Sequence, residues 1–202
     1  DLLQTFLFIF AVIDPIGSVP VFLEATKNFD NETKKKVAIR SSVIAFFILL
    51  FFIVAGQFVM EEMEITLSAF QIAGGLILFL FALSMIFGEG KPESEKHLIK
   101  DYNNVTVFPI AMPSIASPGA ILSVVLLTDN YTYTIVQQAT TSVIVLLVIA
   151  ATCLLLLAAR IVQDKIGETG ILVISKIMGL ILASFAVQNI LDGITKYFDL
   201  NN

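Results

Sequence analysis

Asp14 is the residue with the most chemistry to offer, because the stretch Asp14-Pro15-Ile16-Gly17-Ser18-Val19-Pro20 interrupts an otherwise apolar run. A single carboxylate in that setting can carry a proton, meet an ammonium group or cap a helix. A second stretch, Met112-Pro113-Ser114-Ile115-Ala116-Ser117-Pro118-Gly119-Ala120, brings two hydroxyls and a glycine between prolines, and Gln188 and Asn189 add amides in a third apolar run. Nothing here composes a hydrolytic centre. The chain has one histidine, His97, and one cysteine, Cys153, so neither a zinc-protease pair of histidines nor a disulfide within the chain can form. Asp192, the other carboxylate within an apolar run, is expected near the outer end of its segment, too far from Asp14 for an aspartyl dyad. The readings that remain are binding and passage, without an enzyme activity, a cofactor or a metal.

The element that must position Asp14 is the run over residues 2–25. As a helix it is long enough for a hydrocarbon core of about 30 Å, and a rise of about 1.5 Å per residue puts Asp14 near the midplane. An Asp there costs about 2.5–3.5 kcal/mol, and an interior proline adds roughly 3 kcal/mol. A helix broken at membrane depth is tolerated where it is buried in protein or lines a watery cavity. Composition sets the broad class: 57% of residues are hydrophobic, 14% are charged, and the mean hydropathy is +0.90, which no soluble fold could bury. No basic patch supports nucleic-acid binding. Residue 1 is Asp rather than Met, so trimming or processing is expected, and no signal peptide is evident.

Apolar segments are predicted over 2–25, 37–60, 65–87, 105–127, 136–160 and 169–198. Short connections leave no room for a further domain. Of the twelve Lys and Arg residues, ten fall in the odd loops: Lys27, Lys34, Lys35, Lys36, Arg40, Lys91, Lys96, Lys100, Arg160 and Lys165. The even loops carry Glu61, Glu62, Glu64 and Asp129 instead. The odd loops are therefore expected in the cytoplasm and both termini outside, in a multi-pass protein of the plasma or inner membrane. Tyr102, Tyr131, Tyr133 and Tyr197 all fall at segment ends, as an interfacial belt requires. Of three glycosylation sequons only the one at Asn130 would face outside. His97 reads as a solvated loop residue.

The halves resemble each other. Residues 75–86 (GLILFLFALSMI) and 179–190 (GLILASFAVQNI) agree at seven of twelve positions, among them Gly75/Gly179, Ala82/Ala186 and Ile86/Ile190. The third and sixth segments are thereby equivalent, as are the broken first and fourth, and an odd number of spans per copy inverts the second copy in the membrane. The expected fold class is an all-α membrane protein of six spans: a first repeat over 1–90, a cytoplasmic linker over 91–104, and an inverted repeat over 105–202. Beyond each break a half-helix begins, and its unpaired N–H groups and partial positive charge suit a carboxylate, while the half ending there exposes carbonyls suited to an ammonium. A small zwitterion fits both. Gly17 and Gly119 would let the backbone approach it without a Cβ in the way.

At these residues the chain resembles the MarC family, also described as SnatA-like small neutral amino-acid transporters. The resemblance rests on DPIGSVPVFL (14–23), QIAGGLILFLFAL (71–83), PSIASPGAI (113–121) and MGLILASFAVQNILDGI (178–194), in that order. Gln71 and Lys176 depart from a pattern in which Arg stands nearby. The resemblance implies a six-span inner-membrane protein, some of whose relatives move glycine, alanine and similar amino acids. The expected function is secondary transport of such a small neutral amino acid, with a passive channel or facilitator for small polar solutes as the alternative. Candidate substrate-binding residues are Asp14, Ile16, Gly17, Ser18, Ser114, Ser117, Gly119, Gln188 and Asn189. Asp14 doubles as the candidate proton carrier, ahead of sodium as coupling ion, because no cation neighbours it in sequence. Asp14, Ser114 and Ser117 could equally be helix caps, and Gly74, Gly75 and Gly179 close-packing points. Beyond substrate and coupling ion, the expected partner is membrane lipid, and an oligomer is compatible with the chain.

Overall fold

The computed structural model describes residues 2–88, 102–130 and 132–198, which are mostly helical and contain no strand. Helix α1 (Leu2–Ile13) and helix α2 (Ser18–Ala25) form the first apolar stretch, separated by the break at Asp14. Then come α3 (Asn31–Glu62), α4 (Leu67–Phe87), α5 (Tyr102–Val105), a π segment (Thr106–Ile115), α6 (Pro118–Leu127), α7 (Ile135–Leu157) and α8 (Ala159–Tyr197). Among the described residues five stretches are long and apolar enough to cross a membrane: 2–25, α3, α4, α7 and α8. The most apolar part of residues 2–25 is 61% buried within the protein, whereas the other four lie between 28% and 39%. The broken first stretch is thus the centre, and the unbroken helices surround it. They turn apolar faces outward, as Phe47, Phe51, Val54 and Phe58 do along α3. Such a belt is stable only against lipid.

The helix starts follow from the sequence. Asp30 caps α3 by accepting from the Glu32 N–H at 3.2 Å, Thr66 caps α4 through Ala69 at 3.2 Å, and Thr134 with Gln137 closes a capping box on α7. Three boundaries differ from expectation. Helix α3 begins at Asn31 rather than near 37, because the Asp30 cap and the Lys36–Glu32 ion pair support two charged turns outside the apolar stretch. The predicted loop between the fifth and sixth segments is helix: α7 and α8 meet at Ala158, and only Gly167, at φ 72°, interrupts α8. The fourth segment, expected to break over residues 112–120, is broken over a longer stretch. Phe108 and Met112 are extended inside the π segment, leaving α6 as its one regular apolar helix. The linker predicted over 91–104 lies mostly outside the described residues, as do His97 and Tyr131, and its last three residues open α5.

Packing places small residues where backbones approach. Helices α4 and α8 run antiparallel along their length. A Cβ at Gly75 would come 2.9 Å from the Ala186 carbonyl oxygen and 2.7 Å from Ile190. At Gly179 it would come 3.0 Å from the Ala82 carbonyl oxygen and 3.1 Å from Ile86, the equivalent pair of residues in the other half. These glycines are packing points. Some of the remaining contacts also come in exchangeable pairs: α1 on α7 with the π segment on α3, α2 on α8 with α6 on α4, and α1 on α6 with α2 on the π segment, whereas α1 on α8 has no such counterpart. Lys176 reaches the end of α4, donating from Nζ to the Ile86 carbonyl, a favourable place for a cation.

Gly179→Leu should therefore cost about 1–3 kcal/mol, the usual range for overpacking. The expected outcome is a lower thermal unfolding midpoint of the purified protein in detergent. An unchanged midpoint would remove the close approach of α4 and α8.

Candidate functional site

The first break is built by Asp14 with its own neighbours. Its N–H still donates to Phe10 at 3.0 Å, ending α1, while its carbonyl accepts from the Ser18 N–H at 3.1 Å, starting the next turn. Serving both helices forces it to φ 48°, a conformation Asp tolerates better than most residues. The carboxylate then folds back, and Oδ1 accepts from the Gly17 N–H at 3.0 Å. With Pro15 directly after it, this is a helix N-terminus capped by an acid. Asp14 is 2% exposed.

The second break repeats the design with a neutral cap. Ser117 Oγ accepts from the Ala120 N–H at 3.1 Å, and Pro118 takes the first helical position. Each half-helix also ends alike: Thr26 Oγ1 donates to the Phe22 carbonyl at 2.7 Å, and Thr128 Oγ1 to that of Val124 at 2.6 Å. Helix α6, with ten residues, covers about 15 Å, and the turn from Pro15 to Ala25 about as much, so each is close to half a bilayer core. The two breaks touch. Ser114 Oγ donates to Ser18 Oγ at 3.3 Å, and Ser18 Oγ donates to the Asp14 carbonyl at 3.0 Å. Ser18, Ser114 and Ser117 are all buried, among Val12, Ile13, Ile115 and Ala116.

Asp14, Gly17, Ser18, Ser114, Ser117 and Gly119 thus come together, with Ile16 half-buried against the same core. The glycines, however, do a different job from the one expected. A Cβ at Gly17 would overlap the Asp14 carboxylate, and one at Gly119 would meet Leu78 at 2.9 Å and Val12 at 3.4 Å. Their open sides are filled by the protein itself. Gln188 and Asn189 stand apart from the breaks. They line a cavity of about 550 Å³ between α1, α7 and α8, with Asp192, Gln137, Thr141 and Phe8, and none of the break residues reaches it. Gln188 Nε2 donates there to Asp192 Oδ1 at 2.8 Å. The rings of Phe8 and Phe185, 4.7 Å apart, belong to its wall. Phe8 precedes Asp14 by six residues, about 9 Å of helix. An adjoining cavity of about 210 Å³ is lined by Gln71, Asn189, Asp192 and Lys196.

Two further polar residues are buried, of which only Asp129 escapes a reading of sequence. Gln71 is 7% exposed, and its Oε1 has no hydrogen-bond partner. Asp129, expected in an outer loop, is 2% exposed just after the end of α6. Its carbonyl accepts from Thr132 and Tyr133, while neither carboxylate oxygen receives a hydrogen bond among the described residues. A buried carboxylate without such partners is costly to hold. Its only signal in the sequence is the position directly after Thr128. Next to it, Gln57 Oε1 accepts from the Asn130 N–H at 2.6 Å, tying α3 to this turn.

A family model described as MarC family integral membrane protein matches residues 1–198. A UPF0056 membrane protein of Aquifex aeolicus is 33% identical, covering 95% of this chain and 91% of the relative. One from Methanocaldococcus jannaschii is 33% identical over 92% of each, and the UPF0056 membrane protein YvbG of Bacillus subtilis is 31% identical over 98% of this chain and 95% of that relative. No solved structure matches. The chain belongs to the MarC family and is an integral membrane protein with several apolar helices.

The break geometry makes a double-mutant test. Gly17→Ala should destabilise the protein, since the new methyl group displaces the Asp14 carboxylate, and it should cost less when Asp14→Ser has already shortened the cap. Thermal unfolding of the four proteins gives the coupling; strictly additive effects would separate Gly17 from the carboxylate.

Proposed function

We propose that this MarC family member is a secondary transporter of small neutral amino acids, with its substrate site where the two broken stretches meet. The observation that carries the reading is the Ser114–Ser18 hydrogen bond, which joins one break to the other at the start of both half-helices. In the proposed arrangement residues 102–127 cross the membrane as a broken sixth span, and the two halves are inverted repeats. The exchangeable contacts and the Gly75/Gly179 equivalence support this. Both termini lie outside, in the cytoplasmic membrane. The convergence of Lys34, Lys35 and Arg160 at one end supports that orientation through the positive-inside rule.

Substrate recognition then uses what the breaks offer. The N-terminal ends of α2 and α6 attract a carboxylate, Asp14 meets an ammonium, and the hydroxyls of Ser18, Ser114 and Ser117 fit a small polar body. Binding exchanges the Ser114–Ser18 contact for contacts with the ligand, so the site opens as the two halves move apart. The cavity around Gln188 and Asn189 is the approach from outside, and Phe8 with Phe185 stands between it and the break. A larger side chain would meet Val12, Leu78 and Ile115.

Proton coupling through Asp14 is favoured over sodium. Asp14→Asn preserves a capping acceptor and removes the titratable group, so proteoliposomes bearing this variant should keep substrate exchange and lose accumulation driven by a pH gradient. Full accumulation would restrict Asp14 to capping and pass the role to Asp129, to be tested with Asp129→Asn. Binding itself is read by thermal stabilisation across the twenty amino acids. Glycine and alanine should raise the midpoint most, and a screen with no response would contradict the proposed substrate class.

A further inference from the structure

At the end of the molecule opposite the Gln188 cavity, a crevice of about 330 Å³ opens where α2 and α7 end and α3 and α8 begin. Its polar rim carries Lys34, Lys35 and Arg160, and its wall is Phe22, Leu157 and Ile161 among other apolar side chains. The carboxylates nearest in sequence are already engaged. Glu24 pairs with Lys27 and Glu32 with Lys36. Asp30 caps α3 and is hydrogen-bonded by the Thr33 side chain, which holds its carboxyl below the usual range. Asp164, one turn from Arg160, forms no ion pair with it among the described residues. Three cations therefore share one crevice without a carboxylate to balance them among the described residues. Lys35 and Arg160 are exposed, so the crevice presents its positive charge to an anion from outside.

We infer that this crevice binds an anionic phospholipid, its phosphate held by Lys34, Lys35 and Arg160 and an acyl chain lying along Leu157 and Ile161. Two features select a lipid over a dissolved anion. Leu157 and Ile161 are exposed on the outer surface of the helices, so the apolar wall continues into the hydrocarbon layer. The cations stand at the helix ends, where headgroups lie, and basic pockets between spanning helices suit such headgroups. The guanidinium of Arg160 matches two phosphate oxygens at once, and the lysines add point charges. The lipid would bridge the ends of α2 and α7 to the starts of α3 and α8, pinning the inner half-helix of the first break. The inference holds whatever solute the protein moves.

The test is thermal unfolding of the full chain in neutral detergent with added phosphatidylglycerol, phosphatidylcholine or inorganic phosphate. Phosphatidylglycerol should raise the midpoint, and the other two should not. The variant Lys34→Gln/Lys35→Gln/Arg160→Gln should unfold cooperatively without added lipid and lose most of that rise. Lys27→Gln/Lys36→Gln, which removes as much charge as the two lysines from paired positions outside the crevice, should keep it. Should the triple variant not fold, Arg160→Gln alone serves, with at least half of the rise lost. An equal rise with phosphatidylcholine, an equal rise with inorganic phosphate, or a full rise in the crevice variants would each overturn the inference.

Discussion

Inside a bilayer no water is available to satisfy a backbone group, and this requirement governs the two breaks at the centre of the protein. Each break frees N–H groups where a half-helix begins, and each is answered locally, by the Asp14 carboxylate in one and the Ser117 hydroxyl in the other. The two caps differ by a charge. That difference gives the protein an ionisable group at one break and a nearly matched neutral one at the other. The Ser114–Ser18 bond then lets the two breaks share a single polar core within a shell of valine, isoleucine and alanine.

The surrounding helices serve that core. Burying residues 2–25 requires neighbours on every side, and α7, α8 and α6 supply them, while α3 and α4 close the other half against the π segment and α6. The α4–α8 pair approaches closely because glycines stand where backbone oxygens of the opposite helix pass. In lipid, where apolar side chains gain nothing by leaving the solvent, such close contact is the main source of adhesion. Polar residues that do not serve the core line cavities at the two ends, Gln137, Gln188, Asn189 and Asp192 at one and Lys34, Lys35 and Arg160 at the other.

Much of this is legible in the sequence, since hydropathy marks the apolar stretches and proline with glycine marks the breaks. The equivalence of Gly75 and Gly179 could be read from letters alone because both face the same pair of residues, so one geometric demand selected the same motif twice. What could not be read is depth and direction. Gln188 and Asn189 follow the repeated motif closely enough to suggest the site, yet α8 carries them past it to the cavity beside α1 and α7. Gly17 signalled room for a ligand, whereas the room is taken by the carboxylate three residues before it. Asp129 appeared to belong to a solvated loop because burial by α3 is a tertiary fact, invisible in a run of polar letters. Phe108 is extended one turn before the break that Met112-Pro113 marks, and only the proline after it signals this.

The central claim is that the two breaks touch and must separate for passage. It is tested most directly by pairing Ser18→Cys with Ser114→Cys in a Cys153→Ser background, since the native hydroxyls stand 3.3 Å apart. Mild oxidation of the membrane-inserted protein should give an intramolecular disulfide, abolish amino-acid exchange in proteoliposomes and, on reduction, restore it. A folded double-cysteine protein that forms no cross-link, or one that exchanges substrate at the full rate while cross-linked, would contradict the account.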